Sequence, residues 1–179
     1  MSGTYDVVLL VEQALTVTDA RQVLSLHEEL DDPVVYHVLL PLEDAAARIE
    51  ASMGGLSGGE LMGNPTIGMY EADIEAVRKD SQEQSDDELS ATLAALREAG
   101  GTADGKVVGD DPIEALSAEV SAVDGREAII LTRSHVVSEF FHLDWTSRAR
   151  RKIGVPVLHL LEHENFDEQA GSGEGVTGL

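Results

Sequence analysis

Short runs of apolar residues, rich in β-branched side chains, recur along the chain between segments of mixed polarity. The clearest runs span residues 5–11, 33–40, 128–131 and 155–161. Because a strand that is buried on both faces has few polar positions, these runs predict strands of a parallel sheet. A fifth, weaker strand is predicted at 102–108, where Asp104 and Gly105 interrupt the apolar pattern.

The segments between these runs carry apolar side chains every three or four residues, which is the spacing of an amphipathic helix. One helix is predicted after Thr18, with its apolar side formed by Val23, Leu24 and Leu30. Further helices are predicted at 43–53, 70–80 and 138–153.

Two more helices are predicted from residues that are typical of helix starts and ends. Ser85 and Glu88 have the spacing of a capping box, and the glycines at 100–101 are typical of a helix end. Asp111 followed by Pro112 predicts another start, because proline suits the first helical position. The apolar positions of that helix are Ile113, Leu116, Val120 and Val123, and its end is predicted at 124–125.

The alternation of strand and helix predicts an α/β fold, with a doubly wound parallel sheet inside a three-layer sandwich. After residue 162 the composition turns to glycine, serine and acidic residues, which bury too little apolar surface to become ordered. We therefore predict one α/β domain over residues 1–162 and an acidic, glycine-rich, disordered tail over 163–179.

The charge of the chain limits the classes of partner that it is expected to bind. It has 34 acidic and 12 basic side chains, a formal net charge of -22. Nucleic acids and anionic membranes both bind chiefly to basic groups, so neither is expected as a partner. The absence of cysteine excludes disulfides and thiol chemistry. No apolar run approaches the length of about 20 residues that spans a bilayer, and a cytoplasmic location is predicted.

Three features resemble functional motifs without completing them. Residues 100–107 come near a phosphate loop, but Val107 stands where a hydroxyl should bind magnesium. Residues 56–60 resemble the signature loop of transport ATPases, with no phosphate loop before them. His159 and His163 would lie about 13 Å apart along a strand. We therefore predict turns or linkers at the first two places and no metal site at the third.

Three segments together resemble the universal stress protein family. They are 107–115, 127–132 and 153–161, and the first strand, helix and second strand extend the resemblance over nearly the whole ordered chain. The resemblance implies a Rossmann-like, adenine nucleotide alpha hydrolase-like sandwich with five parallel strands in the order 3-2-1-4-5. It also implies a ligand at the switch between strands 1 and 4, and homodimers through strand 5, here Val155 to Leu161.

The chain departs from the ATP-binding members of that family. Those members have an aspartate after strand 1 and a Gly-x-x-Gly-x9-Gly-Ser/Thr stretch after strand 4. This sequence has Glu12 at the first place and a stretch from Thr132 to Ser147 without a glycine at the second. Backbone amides approach phosphate closely only where side chains are absent, so ATP and AMP are disfavoured and no cofactor is predicted. The candidate cleft residues are Glu12, Val38, Thr132, Arg133, Ser134 and Thr146.

Three functions remain open. The leading hypothesis is a homodimeric stress-response or regulatory protein that binds an unknown protein or small molecule in the cleft. The second is an adenine-nucleotide-binding protein, with or without slow hydrolysis of ATP, in which Arg133, Ser134 and Thr146 replace the missing amides. The third is a purely structural acidic protein. No acid, base and nucleophile converge in the sequence, so no catalytic residue is predicted.

Overall fold

Strands alternate with helices in the computed structural model, which describes residues 3–42, 67–109, 111–132 and 151–161. In chain order the elements are β1 (Tyr5–Val11), α1 (Val17–Ser25), β2 (Val34–Pro41), α2 (Ile67–Glu98), β3 (Thr102–Val108), α3 (Pro112–Ala122), β4 (Glu127–Thr132) and β5 (Val157–Leu161). Residues 151–153 end a further helix before β5. The five predicted strands are confirmed, with bounds that differ by at most two residues.

All five strands are parallel and lie in the order β3-β2-β1-β4-β5. The central strand is β1, in which Leu9 pairs with Val38 of β2 and with Ile129 of β4. The doubly wound α/β fold predicted from the sequence is therefore confirmed. Among the helices of the described residues, none is both long and apolar enough to cross a membrane.

The core lies on both faces of the sheet. Successive side chains of β1 point to opposite faces, so Val7 and Leu9 pack in one cluster and Val8 and Leu10 in the other. The first cluster is closed by α1 and α2, and the second by α3 and by Ile153. Because the strands are buried on both faces, their sequences are nearly continuous apolar runs.

Helix α3 begins and ends as predicted. The Asp111 carboxylate accepts a hydrogen bond of 2.9 Å from the amide of Glu114, as an N-cap residue does. The residue with a left-handed backbone at the other end is Asp124, with φ 53°. At the end of α2 the same role belongs to Gly100, with φ 99°.

The predicted helix start at Ser85 is wrong, because α2 continues from Ile67 to Glu98. Ser85 is buried inside the helix. Glu88 accepts a hydrogen bond of 3.1 Å from Gln84, four residues earlier, instead of capping a new helix. No proline interrupts α2, so the helix predicted at 70–80 and the one predicted after Ser85 are a single helix.

Helix α1 also differs from its prediction. It begins after Thr16, two residues before Thr18, and ends at Ser25. Leu30 lies beyond it and is 41% exposed, so its assignment to the apolar side of the helix is wrong. The helices predicted at 43–53 and over most of 138–153, the glycine-containing stretch at 56–60, His163 and the tail at 163–179 lie outside the described residues.

Candidate functional site

The strand order reverses between β1 and β4, and in doubly wound sheets a ligand binds at the carboxyl ends of the strands at this point. The amide of Glu12, the first residue after β1, donates a hydrogen bond of 3.2 Å to the carbonyl of Leu131 in β4. Glu12 and Thr132 are therefore brought together at the switch point. Glu12 is partly exposed there.

Thr132 forms a hydrogen bond within the sheet. Its Oγ1 lies 2.8 Å from Nε2 of His159 in β5, a partner that the sequence reasoning missed. Burial lowers the pKa of His159, which keeps its ring neutral near neutral pH. This edge of the cleft is therefore polar but uncharged.

The N-terminus of α1 borders the same cleft, and the side chains of Thr16 and Asp19 form hydrogen bonds with the backbone there. Asp19 Oδ2 accepts hydrogen bonds from the amide of Thr16 at 3.0 Å and from its hydroxyl at 2.6 Å. The amide of Asp19 in turn donates to Thr16 Oγ1 at 3.2 Å. Asp19 is 2% exposed. A helix N-terminus is a natural site for phosphate, but here a buried carboxylate of the chain occupies that position.

A hydrogen bond to a side chain of α2 holds the loop between β1 and α1 in place. The amide of Leu15 donates a buried hydrogen bond of 3.1 Å to Thr92 Oγ1. Thr92 is fully buried, although it lies on the apolar side of α2 with Leu93 and Leu96 as neighbours along the helix. A threonine among leucines on the buried side of a helix is the sequence signal that could have identified it.

The other predicted cleft residues have different placements. Val38 is fully buried in the core and pairs with Leu9, so its side chain has no exposed surface to offer a ligand in this structure. Arg133, Ser134 and Thr146 lie outside the described residues. The structure thus brings together Glu12 and Thr132 and leaves Val38 inside the sheet.

The charge of the described cleft is negative. Its ionisable side chains are Glu12 and the buried Asp19, beside the neutral His159. None of the cleft residues that the structure describes is a lysine or arginine. In the described part of the chain, no three histidine, aspartate or glutamate side chains converge as a metal site would require. The arrangement can donate and accept hydrogen bonds, but its charge repels anions.

No family model matches the sequence, and no curated protein sequence matches it significantly. Solved structures of universal stress proteins are similar to the chain. One from Archaeoglobus fulgidus has a TM-score of 0.49 and 13% identity, over 87% of this chain and 93% of that one. A family protein from Arabidopsis thaliana with AMP bound has a TM-score of 0.47 and 13% identity, over 91% and 94%. A universal stress protein in complex with cAMP has a TM-score of 0.48 and 10% identity, over 88% and 98%. The strand order of the chain is the one that the sequence resemblance implied.

Proposed function

We propose that this protein is a regulatory binding module whose cleft at the carboxyl ends of β1 and β4 takes a protein or small molecule without a phosphate group. The observation that carries this proposal is the Asp19 carboxylate at the N-terminus of α1, where a phosphate-binding protein presents free amides. Thr16 and Asp19 form hydrogen bonds with each other there, so a phosphate at the amides of these two residues would have to displace a half-buried pair.

The charge of the site supports the same function. A phosphate oxygen about 4 Å from the carboxylate of Glu12 would be repelled by about 1–4 kcal/mol, depending on the local screening. The stretch from Thr132 to Ser147 contains no glycine that would let amides approach a phosphate and offset this repulsion. The net charge of -22 repels polyanionic ligands over the whole surface as well.

Calorimetry with magnesium-ATP and with AMP tests this function. We expect no binding of ATP tighter than the millimolar range, and no gain in affinity from AMP to ATP. A Glu12→Gln variant should bind ATP better than the wild type, whereas Glu29→Gln, which removes an equal charge from an exposed position, should not.

A dissociation constant for ATP in the micromolar range, about -8 kcal/mol, would contradict the proposal. It would support the adenine-nucleotide alternative, in which Arg133, Ser134 and Thr146 bind the phosphates.

We further propose that the module is a homodimer through its last strand. Within the described residues β5 pairs with β4 on one side, and it forms an edge of the sheet. Leu158 on this strand is 41% exposed, and an apolar edge strand tends to pair with another chain. Leu158→Lys should therefore give monomers in sedimentation experiments, whereas Leu30→Lys, also at a residue 41% exposed, should leave dimers intact. A monomeric wild type at high concentration would contradict this mode of assembly.

A further inference from the structure

A cavity lies at the opposite end of the sheet from the cleft. It has a volume of about 590 Å³, and it lies where α1 and α2 end and where β2 and β3 begin. Its apolar lining consists of Leu24, Pro33, Val34 and Ala99. Its polar lining includes Arg21, His27, Glu28, Tyr36 and Thr102. The cavity is large enough for a small organic molecule.

The polar wall of this cavity is a chain of three side chains. His27 Nε2 hydrogen-bonds Oε1 of Glu127, and His27 Nδ1 lies 2.9 Å from the hydroxyl of Tyr36. The carboxylate can only accept, so Nε2 donates to it, and Nδ1 forms one hydrogen bond with the Tyr36 hydroxyl. Burial raises the pKa of Tyr36, which keeps the hydroxyl protonated. A hydroxyl oxygen has two lone pairs, so the Tyr36 oxygen keeps at least one that can accept a hydrogen bond from a ligand.

The rest of the cavity adds negative potential. Glu28 is exposed at its edge and forms no ion pair with another described residue. Two helices, α1 and α2, end beside it, and the carbonyl end of a helix carries a partial negative charge. Arg21 is the single lysine or arginine among the lining residues, and it also has no ion-pair partner within the described part of the chain.

From these features we propose that the cavity binds a small primary monoamine with an apolar body. The ammonium group donates to the Tyr36 hydroxyl oxygen and to the Glu28 carboxylate, while the apolar body packs against Leu24 and Val34. Arg21 disfavours a second cationic end, so a monoamine binds in preference to a diamine. This site is separate from the cleft near Glu12.

Hexylamine is a suitable probe, with hexanol, hexanoate and 1,6-diaminohexane as comparisons, in titrations of the full chain at pH 7 followed by amide shifts in NMR. We expect hexylamine to bind more tightly than the other three, with shifts at residues that line the cavity. Glu28→Gln should weaken hexylamine binding roughly three- to tenfold, the effect of losing one hydrogen bond to a charged group. Glu29→Gln changes the net charge equally and lies outside the lining, so it should leave the affinity unchanged.

Tyr36→Phe provides an independent measurement, since it removes only the hydroxyl. It should weaken the binding of hexylamine more than that of hexanol, because a charged donor loses a stronger hydrogen bond than a neutral one. Because Tyr36 is buried, the fold of the variant is checked by circular dichroism. Tighter binding of the diamine would indicate attraction to acidic surface in general and overturn the proposal. Equal binding of hexanol, tighter binding of hexanoate, or an equal effect of the two glutamate variants would also overturn it, as would the absence of hexylamine binding.

Discussion

Replacing Asp6 with Asn tests whether His37 is held as a cation between two strands. His37 Nε2 lies 2.9 Å from Asp6 Oδ1 in β1, and its Nδ1 lies 2.9 Å from Asp104 Oδ1 in β3. Only a protonated ring can donate from both nitrogens. Burial opposes the charge on His37, but the hydrogen bonds to the two carboxylates outweigh it and raise its pKa. Burial likewise opposes the charge on Asp6, but hydrogen bonds from His37 and Thr4 outweigh it and lower its pKa.

The two contacts of His37 should differ in strength because they differ in exposure. The side chains of His37 and Asp6 are 12% and 18% exposed, whereas that of Asp104 is 69% exposed. A hydrogen bond between charged, largely buried groups contributes about 1.5–3 kcal/mol. An exposed ion pair contributes about 0–1 kcal/mol. Asp6→Asn should therefore lower the free energy of unfolding by about 2 kcal/mol, and Asp104→Asn by less than about 1 kcal/mol.

The pH dependence of this effect has a defined sign. Since the pKa of His37 is raised, its contribution is complete below its ordinary value of 6.5 and is lost as the pH rises through the raised pKa. Since the pKa of Asp6 is lowered, its contribution is complete above 3.8 and is lost as the pH falls through the lowered pKa. The pair therefore stabilises the fold most between these two values.

Urea unfolding of the wild type and of both variants at about pH 5 and about pH 9 measures these differences. The deficit of Asp6→Asn should be largest near pH 5 and should shrink at high pH, where His37 loses its charge. An equal deficit at both pH values would refute the assignment of His37 as a cation. An equal deficit for Asp6→Asn and Asp104→Asn would refute the reasoning from exposure.

Three other changes have expected outcomes. Gly105→Ala would place a Cβ atom 2.6 Å from the carbonyl oxygen of Val38, so urea unfolding should show a loss of about 1–3 kcal/mol. Gly109→Ala meets no atom within 4 Å and should have little effect, and similar losses for the two would contradict the steric reasoning. Thr16→Ala removes the N-cap of α1 and should lower the free energy of unfolding by about 1 kcal/mol; an unchanged value would show that water replaces the cap. Removing residues 163–179 should leave the melting temperature nearly unchanged because the segment lacks a periodic apolar pattern, and a drop of several degrees would contradict this.

The strands could be predicted because burial on both faces leaves a signal that is local in sequence. Even β3 is a strand, although Asp104 and Gly105 interrupt it. Asp104 is accommodated by its hydrogen bond to His37. Gly105 lies so close to the carbonyl of Val38 that a larger residue would not fit. In β3, the two residues that are unfavourable for a strand therefore form contacts with β2.

The helix starts were harder to predict because a capping box is a short pattern. Ser85 and Glu88 have its spacing, but a capping box forms only where the preceding residues leave the helix, and α2 continues through them. Thr16 and Asp19 form the box that α1 uses, at a place where the chain turns away from β1. The three-residue spacing alone does not distinguish the two cases.

The residues of the candidate sites also differ in how far the sequence predicts them. Glu12 directly follows β1, and Thr132 is the last residue of β4. Both could therefore be placed at the same edge of the sheet from the sequence. The contact between His27 and Glu127 joins residues 100 positions apart. The hydrogen bond from Leu15 to Thr92 spans 77 positions. Neither follows from the sequence, since each depends on how the helices pack on the sheet.

The position of β1 in the middle of the sheet has a consequence for biosynthesis. The neighbours of Leu9 are Val38, which emerges from the ribosome soon afterwards, and Ile129, which emerges 120 residues later. Until then a nascent chain presents one edge of its most apolar strand without a partner, and such edges associate with other chains. Because β1 lies between β2 and β4 in the folded domain, its pairing is complete only after β4 has been synthesised.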